Sequence, residues 1–307
     1  MRIAIVGAGA LGLYYGAMLQ RSGVDVHFLL RRDFDAITRH GLQIHSVDGD
    51  FHLAGVKGYR SAEEIGAVDL VLVGLKTFAN GHLAELIRPL VNSKTAILTL
   101  QNGLGNEDLL AEIFGPQRIL GGIAFLCSNR GEPGFVHHLG EGRIRLGEFS
   151  CGLTARSERL AAMFRNAGVP CDAVEDLCRA RWEKLVWNIP FNGLSALLDK
   201  DVTELLTFSP TRELVRELML EVIAGGNTQG LSQKIDGPQF SAQLIDFSDR
   251  MDHYRPSMQI DRKEGRPLEL ESIFAIPLQR AAAKGVAMTQ VDMLYRLLLS
   301  GETRADD

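Results

Sequence analysis

The chain has 307 residues, too long for a typical single compact domain and well suited to two. Its 46% apolar and 23% charged residues are ordinary for a globular protein with a sizeable core, and a net charge of −5 supplies no basic field for nucleic acid. The four cysteines (Cys127, Cys151, Cys171, Cys178) form no C-x-x-C pair, and the eight histidines show no ligand spacing, so scattered buried thiols and no metal are expected.

The chain begins on a β-branched run at residues 3–6, with no apolar leader. Its longest apolar stretch, 68–75, contains Asp69 and is too short to span a bilayer. A cytoplasmic setting with no membrane partner is the expectation. Short runs at 3–6, 26–30, 70–73 and 96–100 read as core strands. Helical patterns at 10–21, 79–90 and 106–114 fall between or after them, which signals a parallel sheet covered by helices. Two alternating runs flank Asp48-Gly49, so 41–54 is expected to form a hairpin leaving the sheet. A strand at 118–128 and glycine-rich antiparallel strands over 131–148 should extend the sheet. A helix at 154–167 and a strand at 170–173 complete this half. His137 and His138 are expected in a loop or strand pair facing solvent. From Asp176 the pattern turns helical, with amphipathic runs at 177–187, 210–225, 238–251, 273–284 and 289–299, and residues 302–307 read as a frayed tail. The expected organisation is α/β: a Rossmann-like N-terminal domain over 1–174 and an all-helical C-terminal domain over 175–307.

Gly7-Ala8-Gly9-Ala10-Leu11-Gly12 follows a strand and opens a helix, the context in which G-x-G-x-x-G binds a dinucleotide. Gly7 permits the turn, Gly9 lets a pyrophosphate approach the backbone, Gly12 lets helix and strand pack, and the helix N-terminus faces the phosphates. The second strand ends in Arg31-Arg32 rather than a carboxylate, which suits an adenosine 2′-phosphate and favours NADPH/NADP⁺ over NADH. A solvated basic turn, with Asp33 and Asp35 pairing the arginines, is the competing reading. Lys76 and Asn102 follow two further strands, so both join the glycine loop and Arg31 at the carboxyl edge of the sheet.

In the helical half, Lys184, Asn188 and Asn192 recur every four residues amid Leu185, Val186, Trp187, Ile189 and Phe191. A lysine and two carboxamides are costly to bury among such neighbours without partners. An internal hydrogen-bond network or a wet helix face would also account for them. Pro190 should bend or break the helix within this stripe.

With these residues the chain resembles the ketopantoate reductase family along essentially its whole length. The ordered set runs from Gly7–Gly12 through Lys76, Gln101-Asn102-Gly103 and Lys184-x-x-x-Asn188-x-x-x-Asn192 to Ser257-Met258-Gln259-x-Asp261 and Glu269. The resemblance implies NADPH-dependent reduction of a 2-keto acid, 2-dehydropantoate to (R)-pantoate in pantothenate biosynthesis, in a cleft between the domains. It implies that Lys184 is the general acid and that Asn188 and Asn192 position the substrate. Ser257 would bind its carboxylate and Glu269 its hydroxyl. Lys76, Asn102 and Glu269 would lie by the nicotinamide–ribose end. Two positions depart from the family: Gly193 and Val202, where proline and asparagine are usual. Both are expected beside the pocket, with Trp187, Phe191, Leu194 and Ile260 as further walls. Alternatives are a paralogue acting on a different 2-keto acid, a hydroxyacyl-CoA, polyol-phosphate or opine dehydrogenase, and a non-catalytic NADPH sensor. The expected partners are a small-molecule 2-keto acid and a second copy of the chain in a homodimer, with no nucleic acid.

Overall fold

The computed structural model describes residues 1–302. Ten strands form one mixed sheet: β1 (Arg2–Val6), β2 (Asp25–Leu29), β3 (Leu42–Ser46), β4 (Phe51–Leu53), β5 (Lys57–Tyr59), β6 (Leu70–Val73), β7 (Ala96–Thr99), β8 (Ile119–Arg130), β9 (Phe135–Glu148) and β10 (Cys171–Ala173). Their order is β4-β3-β9-β8-β7-β6-β1-β2-β5, with β10 beside β9. From β8 to β5 every neighbouring pair is parallel. β6 and β7 are buried at every position, as parallel strands covered on both faces must be.

Alternate residues supply two cores. Ile3, Ile5, Phe28, Leu70, Leu72 and Leu98 pack on one face with Leu13, Tyr15 and Leu19 of α1 (Ala10–Arg21). Ala4, Val6, Val71, Val73 and Ile97 pack on the other. Each such side chain contributes about 1.5–3 kcal/mol relative to exposure. The remaining helices of this unit are α2 (Phe34–His40), α3 (Ala62–Ile65), α4 (Leu83–Ile87), α5 (Asn106–Phe114) and α6 (Ala155–Asn166).

The second unit contains α7 (Leu177–Leu198), α8 (Val202–Thr207), α9 (Ser209–Gly226), α10 (Gly237–Ser248) and α11 (Ser257–Lys263). A π-helical turn at Glu271–Ala275 then leads into α12 (Ile276–Ala282), and α13 (Thr289–Ser300) ends the series. It has no strand among the described residues. Its core joins Trp182, Leu185, Val186, Ile189 and Phe191 of α7 to Leu218 and Val222 of α9 and Val291, Leu294 and Leu298 of α13. Met1–Gln101 and Asn106–Leu177 form the first compact unit, and Asn102–Gly105 with the chain from Cys178 the second. One cut in the sequence therefore does not separate them.

Several local expectations are corrected. The 41–54 hairpin does not leave the sheet: β3 pairs with β9 in parallel, giving the β9 edge a backbone partner. Residues 131–148 hold one long strand, not several, antiparallel to β8 with register shifts at Phe125/Leu126 and Cys127/Ser128. His138 is buried rather than solvent-facing. Its Nε2 donates to Glu141 O (2.9 Å), its Nδ1 meets Ser46 Oγ at 2.8 Å, and its ring lies 4.4 Å from that of Tyr14. Cys151 is exposed, so the thiols are not all buried. The helix over 79–90 is two 3₁₀ segments flanking α4, with Pro89 in the second.

Pro190 does not break α7, which runs on to Leu198. The missing backbone bond costs about 3 kcal/mol, less than the burial of Leu185, Val186, Ile189, Phe191 and Leu194 returns at about 1.5–3 kcal/mol each. Glu302, expected in a frayed tail, accepts from Leu268 N and lies 3.5 Å from Arg262 Nη2; residues 303–307 lie outside the described residues.

Candidate active site

The chain runs from β1 to β2 on one side of β1, then returns to place β6 on the other, so the topological switch point lies between β1 and β6. Ligands of open α/β sheets bind outside the carboxyl ends of the strands at such a point. Gly7 follows β1 there with φ +101°, and a Cβ on it would stand 2.3 Å from Leu75 N and 2.5 Å from Gly74 C, both backbone after β6. Only glycine meets both demands. A Cβ on Gly12 would stand 2.2 Å from Gly7 O, so the helix presses directly on the turn. At Gly9 a Cβ would meet nothing within 4 Å. Gly9 is also the N-cap of α1, with no side-chain capping bond and no acidic residue in the first turn. The helix therefore presents open N–H groups and an unopposed dipole to an anion. These features fit a dinucleotide pyrophosphate.

Just past the end of β2, Arg31 is exposed and its guanidinium has no hydrogen bond or ion pair among the described residues, while Arg32 donates to Gly131 O (3.2 Å). The acid pairing of the competing sequence reading does not form. Asp33 pairs with Arg130, and Asp35 pairs with Arg60 (3.0 Å), so neither acid neutralises Arg31. Lys76, half-buried, caps the 3₁₀ segment at Thr77–His82. A carboxamide chain that sequence reasoning missed braces this edge. Thr99 Oγ1 donates to Gln101 Oε1 (3.0 Å), Gln101 Nε2 to Asn80 Oδ1 (2.8 Å) and Asn80 Nδ2 to Asn106 Oδ1 (3.0 Å). It ties the segment after Lys76 to the chain leaving β7. Asn102 begins the four residues that join the helical unit, where Leu104 N donates to Ser272 O (2.9 Å).

Within the helical unit, α7 carries Lys184, Asn188 and Asn192 on one stripe, each step advancing roughly 40° around the helix. Lys184 is half-buried, and Asn188 and Asn192 are only 2% and 3% exposed. Asn192 Oδ1 accepts from Met258 N (3.1 Å) and lies 3.5 Å from Ser257 Oγ, so the start of α11 is brought to the stripe. Asn188 Nδ2 is buried without a hydrogen-bond partner. Leaving such a donor unpaired costs about 1–3 kcal/mol. Ser195, also missed by the sequence reading, extends the stripe with a fully buried hydroxyl that likewise lacks a partner. Its position three residues after Asn192 was the available signal. Glu269 is 4% exposed and immediately precedes the segment that turns π-helical at Glu271, an irregularity often found at functional sites.

The departures at 193 and 202 belong to the core. A Cβ on Gly193 would stand 2.6 Å from Leu294 Cδ2 and 3.0 Å from Phe274 Cζ, and Val202 is fully buried in the apolar cluster. Among the described residues no group of three or more His, Cys, Asp or Glu could hold a metal ion, and no helix is long and apolar enough to cross a membrane.

A Rossmann-like domain with an open glycine loop, followed by a helical domain with a half-buried lysine beside two buried carboxamides, is the architecture of this nicotinamide-cofactor oxidoreductase acting on CH–OH groups. Residues 3–150 match the family model described as ketopantoate reductase PanE/ApbA, and residues 176–302 match its C-terminal counterpart. A 2-dehydropantoate 2-reductase of Nostoc sp. is 43% identical, with 99% of this chain and 96% of that protein aligned. A crystal structure of 2-dehydropantoate 2-reductase from Geobacter metallireducens is 64% identical, with a TM-score of 0.96 over 98% of this chain and 99% of that one. The ternary structure of D-mandelate dehydrogenase with NADH and anilino(oxo)acetate is 25% identical, with a TM-score of 0.91 over 98% of each chain. The chain belongs to the ketopantoate reductase family.

Proposed function

We propose that this protein reduces 2-dehydropantoate to (R)-pantoate with NADPH, in the cytoplasm and as a homodimer. The first unit would bind the cofactor and the helical unit would supply the substrate groups. The observation that carries the reading is the α7 stripe, where Asn188 holds a buried donor with no protein partner. A keto acid's oxygens are acceptors of the kind that donor lacks. Its relatives at 43% and 64% identity bear the name of this reaction.

Bound NADPH would supply the hydride. Charge then develops on the carbonyl oxygen, and the Lys184 ammonium stabilises it before donating a proton to the alkoxide. Asn188 and Asn192 orient the keto acid without adding a competing charge, with Ser257 on its carboxylate and Glu269 on its hydroxyl. Lys76 and Asn102 serve the nicotinamide–ribose end. Ala8, Ala10 and Leu11 add no charge to the glycine loop.

The deciding assay is NADPH oxidation with ketopantoate beside 2-ketoisovalerate, which lacks the terminal hydroxyl. A strong preference for ketopantoate is expected, because the analogue offers the buried Glu269 carboxylate no hydroxyl to accept from. Absence of turnover with ketopantoate would defeat the narrow assignment. Arg31→Ala is expected to raise KM for NADPH roughly 10–100-fold, the loss of about 1.5–3 kcal/mol in charged hydrogen bonds, while KM for NADH holds. Equal changes for both cofactors would remove Arg31 from the 2′-phosphate site. A second reading, reduction of a different 2-keto acid, is favoured by the similarity to D-mandelate dehydrogenase; the same assay across a keto-acid panel separates the two.

A further inference from the structure

The tip of β2 keeps a carboxylate, and the fold disables it. Asp33 stands four residues beyond the end of the strand and is 1% exposed. It pairs with the guanidinium of Arg130, the last residue of β8, and its Oδ1 accepts from Gly134 N at 3.1 Å. Arg32 donates to Gly131 O in the same turn. The β8–β9 turn is thus fastened to the β2–α2 loop by three contacts. Gly134 further passes its carbonyl to Gln43 N (2.9 Å) and stands against Ala36 and Ile37 of α2. The guanidinium of Arg31, between the strand and these tethers, is exposed and has no partner among the described residues.

The arrangement has an electrostatic consequence. A carboxylate near the end of the second strand favours the free ribose hydroxyls of NADH and repels a 2′-phosphate. Here Asp33 is taken by Arg130 and Asp35 by Arg60, so neither acid of the β2–α2 loop is paired with Arg31 or Arg32. Arg130 is itself partly buried, and that burial, with a further contribution from the nearby charge of Arg32, lowers its pKa. Its Nε is buried with no hydrogen-bond partner, leaving donor capacity that Asp33 does not take.

We propose that Arg130 is a specificity-determining residue for the cofactor's 2′-phosphate: by pairing with Asp33 it withdraws the one carboxylate that would oppose the phosphate, and it adds its own charge beside Arg31. The inference rests on the reading that NADPH is the cofactor. A sequence reading limited to the end of β2 could not reach it, because Arg130 comes from a different strand.

The test is titration calorimetry with 2′,5′-ADP and with 5′-AMP, alongside kcat/KM for NADPH and NADH, on the wild type, Arg130→Gln, Arg130→Lys, Asp33→Asn and the Asp33→Asn/Arg130→Gln double variant. Arg130→Gln is expected to lower the 2′,5′-ADP/5′-AMP affinity ratio by roughly 10–100-fold, equal to about 1.4–2.8 kcal/mol. Affinity for 5′-AMP should stay within about threefold, since a purely structural role would move both ligands together. The double variant should recover part of the ratio, because the stranded carboxylate is gone. Arg130→Lys and Asp33→Asn should retain most of it, and they carry the test if Arg130→Gln does not fold. A wild type with no preference for 2′,5′-ADP overturns the cofactor reading and this inference together. A wild-type preference that survives Arg130→Gln, that is lost in Asp33→Asn, or that the double variant fails to recover overturns the Arg130 assignment alone.

Discussion

Lys184→Ala is expected to lower kcat by about 10²–10⁴-fold, the range over which a positioned general acid acts, while the Kd for NADPH stays nearly unchanged. Lys184 lies on the helical unit's polar stripe, one turn before Asn188, and the glycine loop belongs to the other unit. On the proposed mechanism, removing the ammonium leaves the nascent alkoxide without its charge partner and proton source. It removes nothing that holds the pyrophosphate or adenosine. Stopped-flow turnover and fluorescence titration of the cofactor measure the two quantities separately. Near-normal turnover in the variant would exclude Lys184 as the acid, and a parallel loss of cofactor affinity would make it a binding residue instead. The loss should appear in kcat and kcat/KM equally, because the interaction strengthens in the transition state.

The glycine loop gives the second large effect, and two of its positions should fail in different ways. Gly7→Ala places a Cβ against the backbone of Leu75 at a φ of +101°. The conformation alone costs of order 1–3 kcal/mol, and the overlap falls on backbone that cannot rotate away. Both the melting temperature and cofactor affinity should fall. Gly9→Ala meets open space in an extended conformation (φ −80°, ψ −168°) that alanine adopts without strain. Its melting temperature should hold, while the Kd for NADPH rises by at least about tenfold, equal to 1.4 kcal/mol, because the added methyl occupies ground the pyrophosphate needs. Thermal melts and cofactor titrations on the pair check this. Gly9→Ala binding NADPH normally would leave the loop as a turn that merely packs helix on strand.

The contrast between these glycines shows what sequence reading can resolve. The motif named three glycines, and their steric surroundings differ: a Cβ on Gly7 or Gly12 would meet backbone, and one on Gly9 would meet open space. The paired runs of β1, β2, β6 and β7, and helices such as α1 and α5, were legible because hydrophobic period and turn residues are local properties. So was the polar stripe, which needs only a spacing of four. Local rules misjudged Pro190, because the core around Trp182, Val186 and Phe191 outweighs one lost backbone bond. They also misjudged the 41–54 hairpin, whose place is set by the β9 strand that it joins.

By itself the sequence determined the class of fold, the dinucleotide loop, the basic tip of β2 and the register of Lys184, Asn188 and Asn192. Each depends on residues within a few positions of one another. Tertiary structure alone decided which acid meets which base, sending Asp33 to Arg130 and Asp35 to Arg60 and leaving Arg31 open. It also carried Asn102–Gly105 into the helical unit and turned Gly193 and Val202 into the core. The physical reason is the same throughout. Helix period, strand alternation and turn chemistry are properties of neighbouring residues. Charge pairing and close packing depend on partners that folding brings together from distant parts of the chain.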